Sequence, residues 1–174
     1  MRIAFCSSEV VPFAKTGGLG DVCGALPIAL ERSGHEVYVF LPKYLMATGT
    51  PPLKPVTKAK GVWQTTIGKN VIVYLIEHDH FFHRPGLYGD NHGDYPDNLE
   101  RFQYYCRRVL ELFQELDLKI DIVHCHEWQT ALIPVYLKEK FKDSRYAKIK
   151  SLLTIHNLAF QGIFPKEING VISA

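Results

Sequence analysis

A lysine and three glycines, closely spaced between a predicted strand and a predicted helix, are the residues of this chain best suited to bind an anion. The segment reads Lys15-Thr16-Gly17-Gly18-Leu19-Gly20. Glycines at a strand-to-helix turn let the backbone approach a ligand closely, and the first turn of a helix offers free N–H groups and a positive dipole end. Lys15 adds a mobile positive charge. The segment therefore predicts an anion site, with phosphate as the expected anion.

Two well-known phosphate-binding motifs do not fit this segment. A Walker loop places its lysine after the glycines, whereas Lys15 precedes them. The dinucleotide-binding fingerprint requires Gly-x-Gly-x-x-Gly, and the spacing of the three glycines differs from it. The next predicted strand, residues 36–41, is followed by Pro42-Lys43 and not by the acidic residue that would bind an NAD ribose. A nicotinamide-dependent oxidoreductase is therefore disfavoured, and a tight turn without a ligand is the structural alternative.

Three predicted strands end in hydrogen-bonding groups. These groups are Ser7-Ser8-Glu9, His126-Glu127 and His156-Asn157. In an open parallel sheet, ligands bind in the crevice beyond the carboxyl ends of the strands. The Lys15 loop lies at the same rim, so the sequence predicts one shared site. Within it, Glu127 is interpreted either as a general base or as a polar strand-end group.

The histidines of the chain could begin a metal site. His124 and His126 alternate along a predicted strand, so their side chains face the same side. Two histidines are weak evidence for a metal site, and hydrogen-bonded strand histidines are the favoured interpretation. The same interpretation applies to His78 and His80. The sequence contains no Asp-x-Asp motif, and no metal ion is expected in the site.

The glycine segment belongs to a longer signature with a specific resemblance. Residues 9–22, EVVPFAKTGGLGDV, closely resemble the N-terminal signature of bacterial glycogen synthases and plant starch synthases. Four later blocks are similar to that family in the same order: residues 87–90 (LYGD), 95–102 (YPDNLERF), 124–131 (HCHEWQTA) and 154–162 (TIHNLAFQG). Five blocks spread over nearly the whole chain make a stronger match than one glycine loop.

The resemblance implies a retaining glucosyltransferase that moves glucose from ADP-glucose to the non-reducing end of an α-1,4-glucan. It implies an oxocarbenium-like transition state with a diphosphate leaving group, and no cofactor beyond the substrate. His156 would lie beside the donor glucose and Lys15 near the phosphates, as the catalytic residues. The implied substrate-binding residues are Glu9, Thr16, Gly17, Gly18, Asp21, Tyr95, Glu127, Gln129 and Asn157. The family most often has aspartate where this chain has Glu127.

Members of the family resemble two facing Rossmann-like domains, the GT-B architecture, with the site between them. The resemblance thus implies that residues 1–174 are a single, incomplete N-terminal catalytic domain. The C-terminal nucleotide-binding domain would be a missing partner, and the chain would be inactive alone. A non-catalytic glucan-binding or regulatory module is the alternative. The tail, residues 168–174, has no element that would complete the sheet.

Alternating strand and helix patterns predict an α/β fold: a Rossmann-like, mostly parallel sheet flanked by helices, with a β-hairpin insertion. Strands are predicted at residues 2–8, 36–41, 121–126 and 151–155, and the hairpin at 60–67 and 71–77. The first helix carries Val22, Ala25, Leu26, Ala29 and Leu30 on its apolar face and ends at Gly34. A long polar loop, 78–96, precedes the longest helix, for which Asp97 is the predicted N-cap. A further helix is predicted at 128–141.

Composition limits the class of protein. With 174 residues, 47% of them hydrophobic, the chain can bury the core of one domain. The net charge is +2 and no Lys/Arg run interleaves with aromatic residues, which disfavours nucleic-acid binding. No segment approaches a membrane-spanning length. The four cysteines form no Cys-x-x-Cys pair and are expected to be buried free thiols in a reducing, cytoplasmic environment.

Overall fold

The computed structural model describes residues 1–47, 51–142 and 145–165, and these ranges form a seven-stranded sheet with helices on both faces. The expectation for residues 168–174 lies outside the described residues. In chain order the main elements are β1 (Arg2–Cys6), α1 (Gly18–Arg32), β2 (Glu36–Pro42), β3 (Lys54–Pro55), β4 (Val62–Ile67), β5 (Val71–Ile76), α2 (Asp79–Phe82), β6 (Gly89–Asp90), β7 (Gly93–Asp94), α3 (Asn98–Glu115), β8 (Ile122–His126), α4 (Leu132–Glu139) and β9 (Lys150–Thr154).

The strand order of the large sheet is β3-β4-β5-β2-β1-β8-β9. β1 pairs in parallel with β2 and β8, β2 with β5, and β8 with β9. β4 is antiparallel to β5 and forms the hairpin. The predicted Rossmann-like, mostly parallel sheet with a hairpin insertion is therefore confirmed. Because β1, β8 and β9 are parallel neighbours, their carboxyl ends meet at one edge.

Two apolar layers cover the two faces of the sheet because alternate residues of each strand point to opposite sides. Ala4 and Cys6 of β1 pack under α3 and α4, whereas Phe5 packs on the side of α1. All four cysteines are buried free thiols, as expected. Within the described ranges, no helix combines the length and the apolarity that crossing a membrane requires.

The apolar face of α1 differs from the prediction. Cys23 and Pro27 are its buried residues, and Leu26 and Leu30 pack partly against the core, but Val22 is 41% exposed. Ala25 and Ala29 are exposed as well. The side of α1 on which Val22 lies is open because it borders the site described below. The predicted stop at Gly34 is confirmed by its left-handed φ of 85°.

Asp97 occupies the N-cap position of α3, but its carboxylate does not cap the helix. It instead accepts two hydrogen bonds from Arg84, at 2.8 and 2.6 Å. This ion pair lowers the pKa of Asp97. The predicted cap is therefore wrong in its chemistry, because a bidentate guanidinium partner competes successfully with the backbone N–H groups of the helix.

The helix predicted over residues 128–141 is divided. A 3-10 turn, Trp128–Thr130, precedes α4, which ends at Glu139. Pro134 explains the break, because a continuous helix would require a backbone N–H at this position to bond the carbonyl of Thr130. In the observed helix Pro134 lies in the first turn, where that N–H is not needed.

Candidate functional site

A cavity of about 550 Å³ lies at the carboxyl ends of β1, β8 and β9, beside the N-terminus of α1. Most of the predicted site residues line it: Glu9, Thr16, Gly17, Gly18, Glu127, Gln129, His156 and Asn157. Lys15, Asp21 and Tyr95 are not among the lining residues. The expectation of one shared rim agrees with this placement, whereas the roles assigned to the individual residues stay predictions.

The carboxylate of Glu9 is buried and holds the glycine loop. It accepts hydrogen bonds from the backbone N–H and the hydroxyl of Thr16, at 2.6 and 2.7 Å, and from the N–H of Gly17 at 3.3 Å. The hydroxyl of Tyr88 donates to it at 2.8 Å. Both carboxylate oxygens are thus engaged within the chain, and Glu9 acts here as the anchor of the loop.

This anchor continues into α3 through a chain of hydrogen bonds. The carbonyl of Tyr88 accepts from the side-chain amide of Asn98 at 2.8 Å. Asn98 in turn accepts from the buried guanidinium of Arg101 at 2.5 Å. The sequence blocks that carry the family resemblance contain Tyr88, Asn98 and Arg101, but reasoning from the sequence alone did not assign Asn98 or Arg101 to the site. Asn98 lines the cavity directly, and Arg101 is joined to it through Asn98 and the carbonyl of Leu87.

Gly17 and Gly18 line the cavity and have open space where a side chain would be. A Cβ added at either residue would have no heavy atom within 4 Å, and neither glycine has a positive φ. The fold therefore does not require glycine at these two positions. Their missing side chains leave the backbone accessible to a ligand in the cavity.

Gly18→Ala tests whether this glycine serves the turn or a ligand. Because alanine favours the helix and meets no neighbour, the free energy of unfolding is expected to stay unchanged or rise by up to about 1 kcal/mol. Gly24→Ala, in the same helix, is the matched control. Its Cβ would lie 2.9 Å from the carbonyl oxygen of Val11, and a loss of about 1–3 kcal/mol is expected. Urea unfolding measures both; a loss above 1 kcal/mol in Gly18→Ala would support the tight-turn alternative.

Lys15 precedes the lining residue Thr16 in the chain and is paired with Asp21. The Nζ to Oδ1 distance is 2.7 Å, and the two side chains are 50% and 58% exposed. An ion pair between such exposed groups contributes little to stability. Lys15 can therefore exchange Asp21 for a ligand anion without a large cost to the fold.

Tyr95 is packed into the loop that precedes α3. Its ring lies 4.8 Å from the guanidinium carbon of Arg84 and 5.0 Å from that of Arg101. Its hydroxyl accepts a hydrogen bond from the N–H of Gly86 at 3.3 Å. These contacts give Tyr95 a role in packing, and its contact with substrate stays a prediction.

Glu127 joins β8 to β9 beneath the cavity. Its Oε1 accepts hydrogen bonds from the backbone N–H groups of His156 and Asn157, at 2.5 and 3.0 Å. The residue is 6% exposed, and its Oε2 has no hydrogen-bond partner among the residues described. Its φ of 64° and ψ of 176° lie in a region that is nearly exclusive to glycine. Glu127 therefore combines a strained backbone conformation with a buried carboxylate, one oxygen of which has no hydrogen-bond partner among the residues described.

Three histidines line the junction of β8 and β9. His124 pairs with the hydroxyl of Thr154 at 2.7 Å, and Nδ1 of His126 lies 2.9 Å from Nε2 of His156. Burial, followed by the neighbouring histidines, lowers the pKa of His126 to about 3. The favoured interpretation of hydrogen-bonded strand histidines agrees with these contacts. In the described part of the chain, no group of three or more His, Cys, Asp or Glu side chains is arranged to hold a metal ion.

The cavity also has apolar walls that sequence reasoning did not assign to the site. They come from Leu19 and Val22 of α1, from Trp128, and from Phe160, which is 66% exposed. Trp128 and Phe160 lie within the sequence blocks noted above, and their aromatic character was the available signal. Flat apolar surfaces next to hydrogen-bonding groups are typical of sites for ligands with both polar and apolar faces.

The chain was compared with known proteins. It matches the family model described as the starch synthase catalytic domain over residues 2–173. It is 45% identical to a glycogen synthase of Geotalea daltonii, with 96% of this chain and 37% of that protein covered. It is 44% identical to glycogen synthase 2 of Geobacter sulfurreducens, with 95% and 37% covered.

A solved structure is similar as well. The catalytic domain of starch synthase IV from Arabidopsis thaliana, bound to ADP and acarbose, has a TM-score of 0.79 and 32% identity. The match covers 92% of this chain and 34% of that chain. The chain therefore spans about a third of the length of these relatives.

Proposed function

This chain belongs to the family of starch synthase catalytic domains, and from that premise we propose that it forms part of a retaining glucosyltransferase. The proposed reaction transfers glucose from ADP-glucose to the non-reducing end of an α-1,4-glucan. The ADP and acarbose bound to the Arabidopsis neighbour support a nucleotide-sugar donor and a saccharide acceptor. The buried free thiols support a reducing compartment, and a cytoplasmic location is part of the proposal.

The observation that carries this proposal is a pair of hydrogen-bond acceptors without donors in the cavity wall. Oε2 of Glu127 and Oε1 of Gln129 are buried and have no partner within the described ranges. Both residues line the cavity, as does His156. Buried acceptors without donors are costly, and sugar hydroxyl groups are donors that would satisfy them. A carbohydrate therefore fits this wall better than an anion alone.

His156, Lys15 and the two glycines of the loop have separate roles in the proposed reaction. His156 lies at the cavity, where an imidazole N–H can donate to a hydroxyl of the donor glucose. Lys15 exchanges Asp21 for the departing diphosphate and stabilises its charge as the glycosidic bond opens. The exposed backbone at Gly17 and Gly18 lets phosphate and sugar approach. A diphosphate is already a good leaving group, so no protein acid has to protonate it.

A second domain completes the site in this proposal. The relatives are about three times as long as the aligned region, which supports a C-terminal domain that holds most of the nucleotide. The edge strand β9 also exposes apolar side chains on both of its faces, Leu152 at 52% and Leu153 at 41%. Such an edge is typical of a surface that further chain covers.

The isolated chain is expected to show no glucosyl transfer from ADP-glucose to maltooligosaccharides, measured with radiolabelled donor. A chimera in which this chain replaces the matching segment of one of the glycogen synthases above is expected to be active. In that chimera, His156→Ala should lower kcat/KM by at least about 10²-fold, because it removes a donor to the transition state. His80→Ala, whose side chain is 76% exposed, is the control and should have no effect. Robust turnover by the isolated chain would contradict the need for a second domain.

Calorimetric titration with maltooligosaccharides separates the enzyme from the non-catalytic glucan-binding module. If the chain is part of the enzyme, maltooligosaccharides are expected to bind weakly to the isolated chain. His156→Ala is then expected to weaken this binding further. Tight glucan binding that is unaffected by His156→Ala would support the module.

A further inference from the structure

His126 has one ring nitrogen bonded to His156 and one without a partner. It is fully buried, and its Nε2 has no hydrogen-bond partner in the part of the chain that the structure describes. Its Nδ1 lies 2.9 Å from Nε2 of His156, and the two ring planes are within 17° of parallel, with centroids 5.2 Å apart. The pair brings a buried, otherwise unused imidazole into contact with the histidine that lines the cavity.

The burial of His126 limits its protonation state. Its low pKa, caused first by burial, keeps the ring neutral near neutral pH, so it carries a single N–H. If this proton were on Nε2, a buried N–H donor would have no acceptor, which is rare in native proteins. If the proton is on Nδ1, it is donated to His156 and only a lone pair is left without a partner.

We propose that His126 is a positioning residue that donates its Nδ1 proton to Nε2 of His156, which holds His156 in the tautomer that carries its proton on Nδ1. His156 Nε2 is then an acceptor, and Nδ1–H is the donor that the ring can offer to a ligand. The value of this donor for glucosyl transfer depends on the proposed function. The tautomer itself does not.

The backbone around His156 supports the same arrangement. Glu127 accepts a hydrogen bond from the backbone N–H of His156. The ring of His124 forms a hydrogen bond with the hydroxyl of Thr154, which precedes His156 by two residues. In the β8–β9 register, His126 is opposite Thr154. His156 is thus held at its backbone and at one ring nitrogen by residues of β8 and its end. Such support from neighbouring groups is how a histidine is given one tautomer and one orientation.

The tautomers can be observed by long-range ¹H–¹⁵N correlation spectra of the ¹⁵N-histidine-labelled chain at pH 8. We expect a pyrrole-type Nδ1 and a pyridine-type Nε2 for both His126 and His156. A pyrrole-type Nε2 on His156 in the unmodified chain would overturn the proposal. The measurement requires neither substrate nor activity, so it can fail or succeed independently of the glucosyl-transfer assay.

Variants of His126 add a second readout. His126→Phe removes the donor, and His156 is expected to change to the Nε2–H tautomer that a solvated histidine side chain prefers. His126→Asn retains an amide N–H near the position of Nδ1 and is expected to preserve the original tautomer. His124→Phe is the matched control, because His124 bonds to Thr154 and not to His156. An unchanged His156 spectrum in a folded His126→Phe chain would also overturn the proposal; if this variant does not fold, the spectrum of the unmodified chain decides.

Discussion

Arg101→Ala is expected to lower the free energy of unfolding by about 3–5 kcal/mol. Arg101 is fully buried in α3, and its guanidinium donates to the carbonyl of Phe81 at 2.7 Å and to that of Leu87 at 3.0 Å. It also donates to the side chain of Asn98. Removal of the guanidinium leaves these three acceptors without a donor, and each buried acceptor costs about 1–3 kcal/mol. Relief from burying a charge offsets part of this sum.

The loss is expected to reach the cavity. Leu87 and Asn98 are the groups through which Arg101 holds Tyr88, and Tyr88 in turn donates to Glu9. Hydrogen exchange should therefore become faster in residues 84–98 and at Thr16, and not only in α3. Spread of the effect to Thr16 would show that the hydrogen-bond chain transmits order from α3 to the glycine loop.

Arg107→Ala is the matched control on the same helix. Its guanidinium is 44% exposed and pairs with Glu111 at 3.5 Å, so a change of less than about 0.5 kcal/mol is expected. Urea unfolding followed by circular dichroism measures both variants, provided that their m-values agree. A loss below 1 kcal/mol in Arg101→Ala would show that water or other donors replace the guanidinium and would refute its proposed structural role.

Glu127→Ala is expected to cost about 2–4 kcal/mol, because the part-buried N–H groups of His156 and Asn157, just after β9, lose a charged acceptor. Glu127→Gly removes the same acceptor and also relieves the strain of a φ of 64°. Relief of about 1–3 kcal/mol exceeds the entropic cost of glycine in the unfolded chain. The glycine variant should therefore be more stable than the alanine variant by about 1 kcal/mol.

Urea midpoints of the two Glu127 variants test the strain directly. Equal stabilities would show that no strain is stored at this position. Both variants are expected to weaken maltooligosaccharide binding, because both lose the unpaired Oε2. Glu127→Gly that binds glucan as well as the unmodified chain would argue against a role for this carboxylate in the site.

Much of the fold could be predicted from local patterns. The short apolar strands, the helix that ends at Gly34 and the hairpin at residues 62–76 are confirmed, since each depends on periodicity or on a turn residue. The wrong prediction at Asp97 has a different cause. The position of Asp97 before α3 predicts a helix cap, but in the structure its carboxylate binds Arg84. The loop conformation that brings Arg84 to Asp97 cannot be read from a local sequence pattern.

The sequence by itself determined that Glu9, Glu127 and His156 lie at one rim near the glycine loop. Parallel strands joined by right-handed crossovers bring their carboxyl ends to one edge, whatever the side chains do. Five family blocks determined the class of protein. These conclusions depend on chain order and on short motifs, which can be read without coordinates.

Only the tertiary structure decided which of these groups are already engaged. Glu9 accepts hydrogen bonds from the glycine loop and from Tyr88, Lys15 is paired with Asp21, and one oxygen of Glu127 has no partner within the described residues. The pairing of His126 with His156 likewise depends on the register of β8 and β9. The strand register, the side-chain rotamers and the burial of each group depend on contacts between residues far apart in the chain. These contacts determine which hydrogen-bond partners meet.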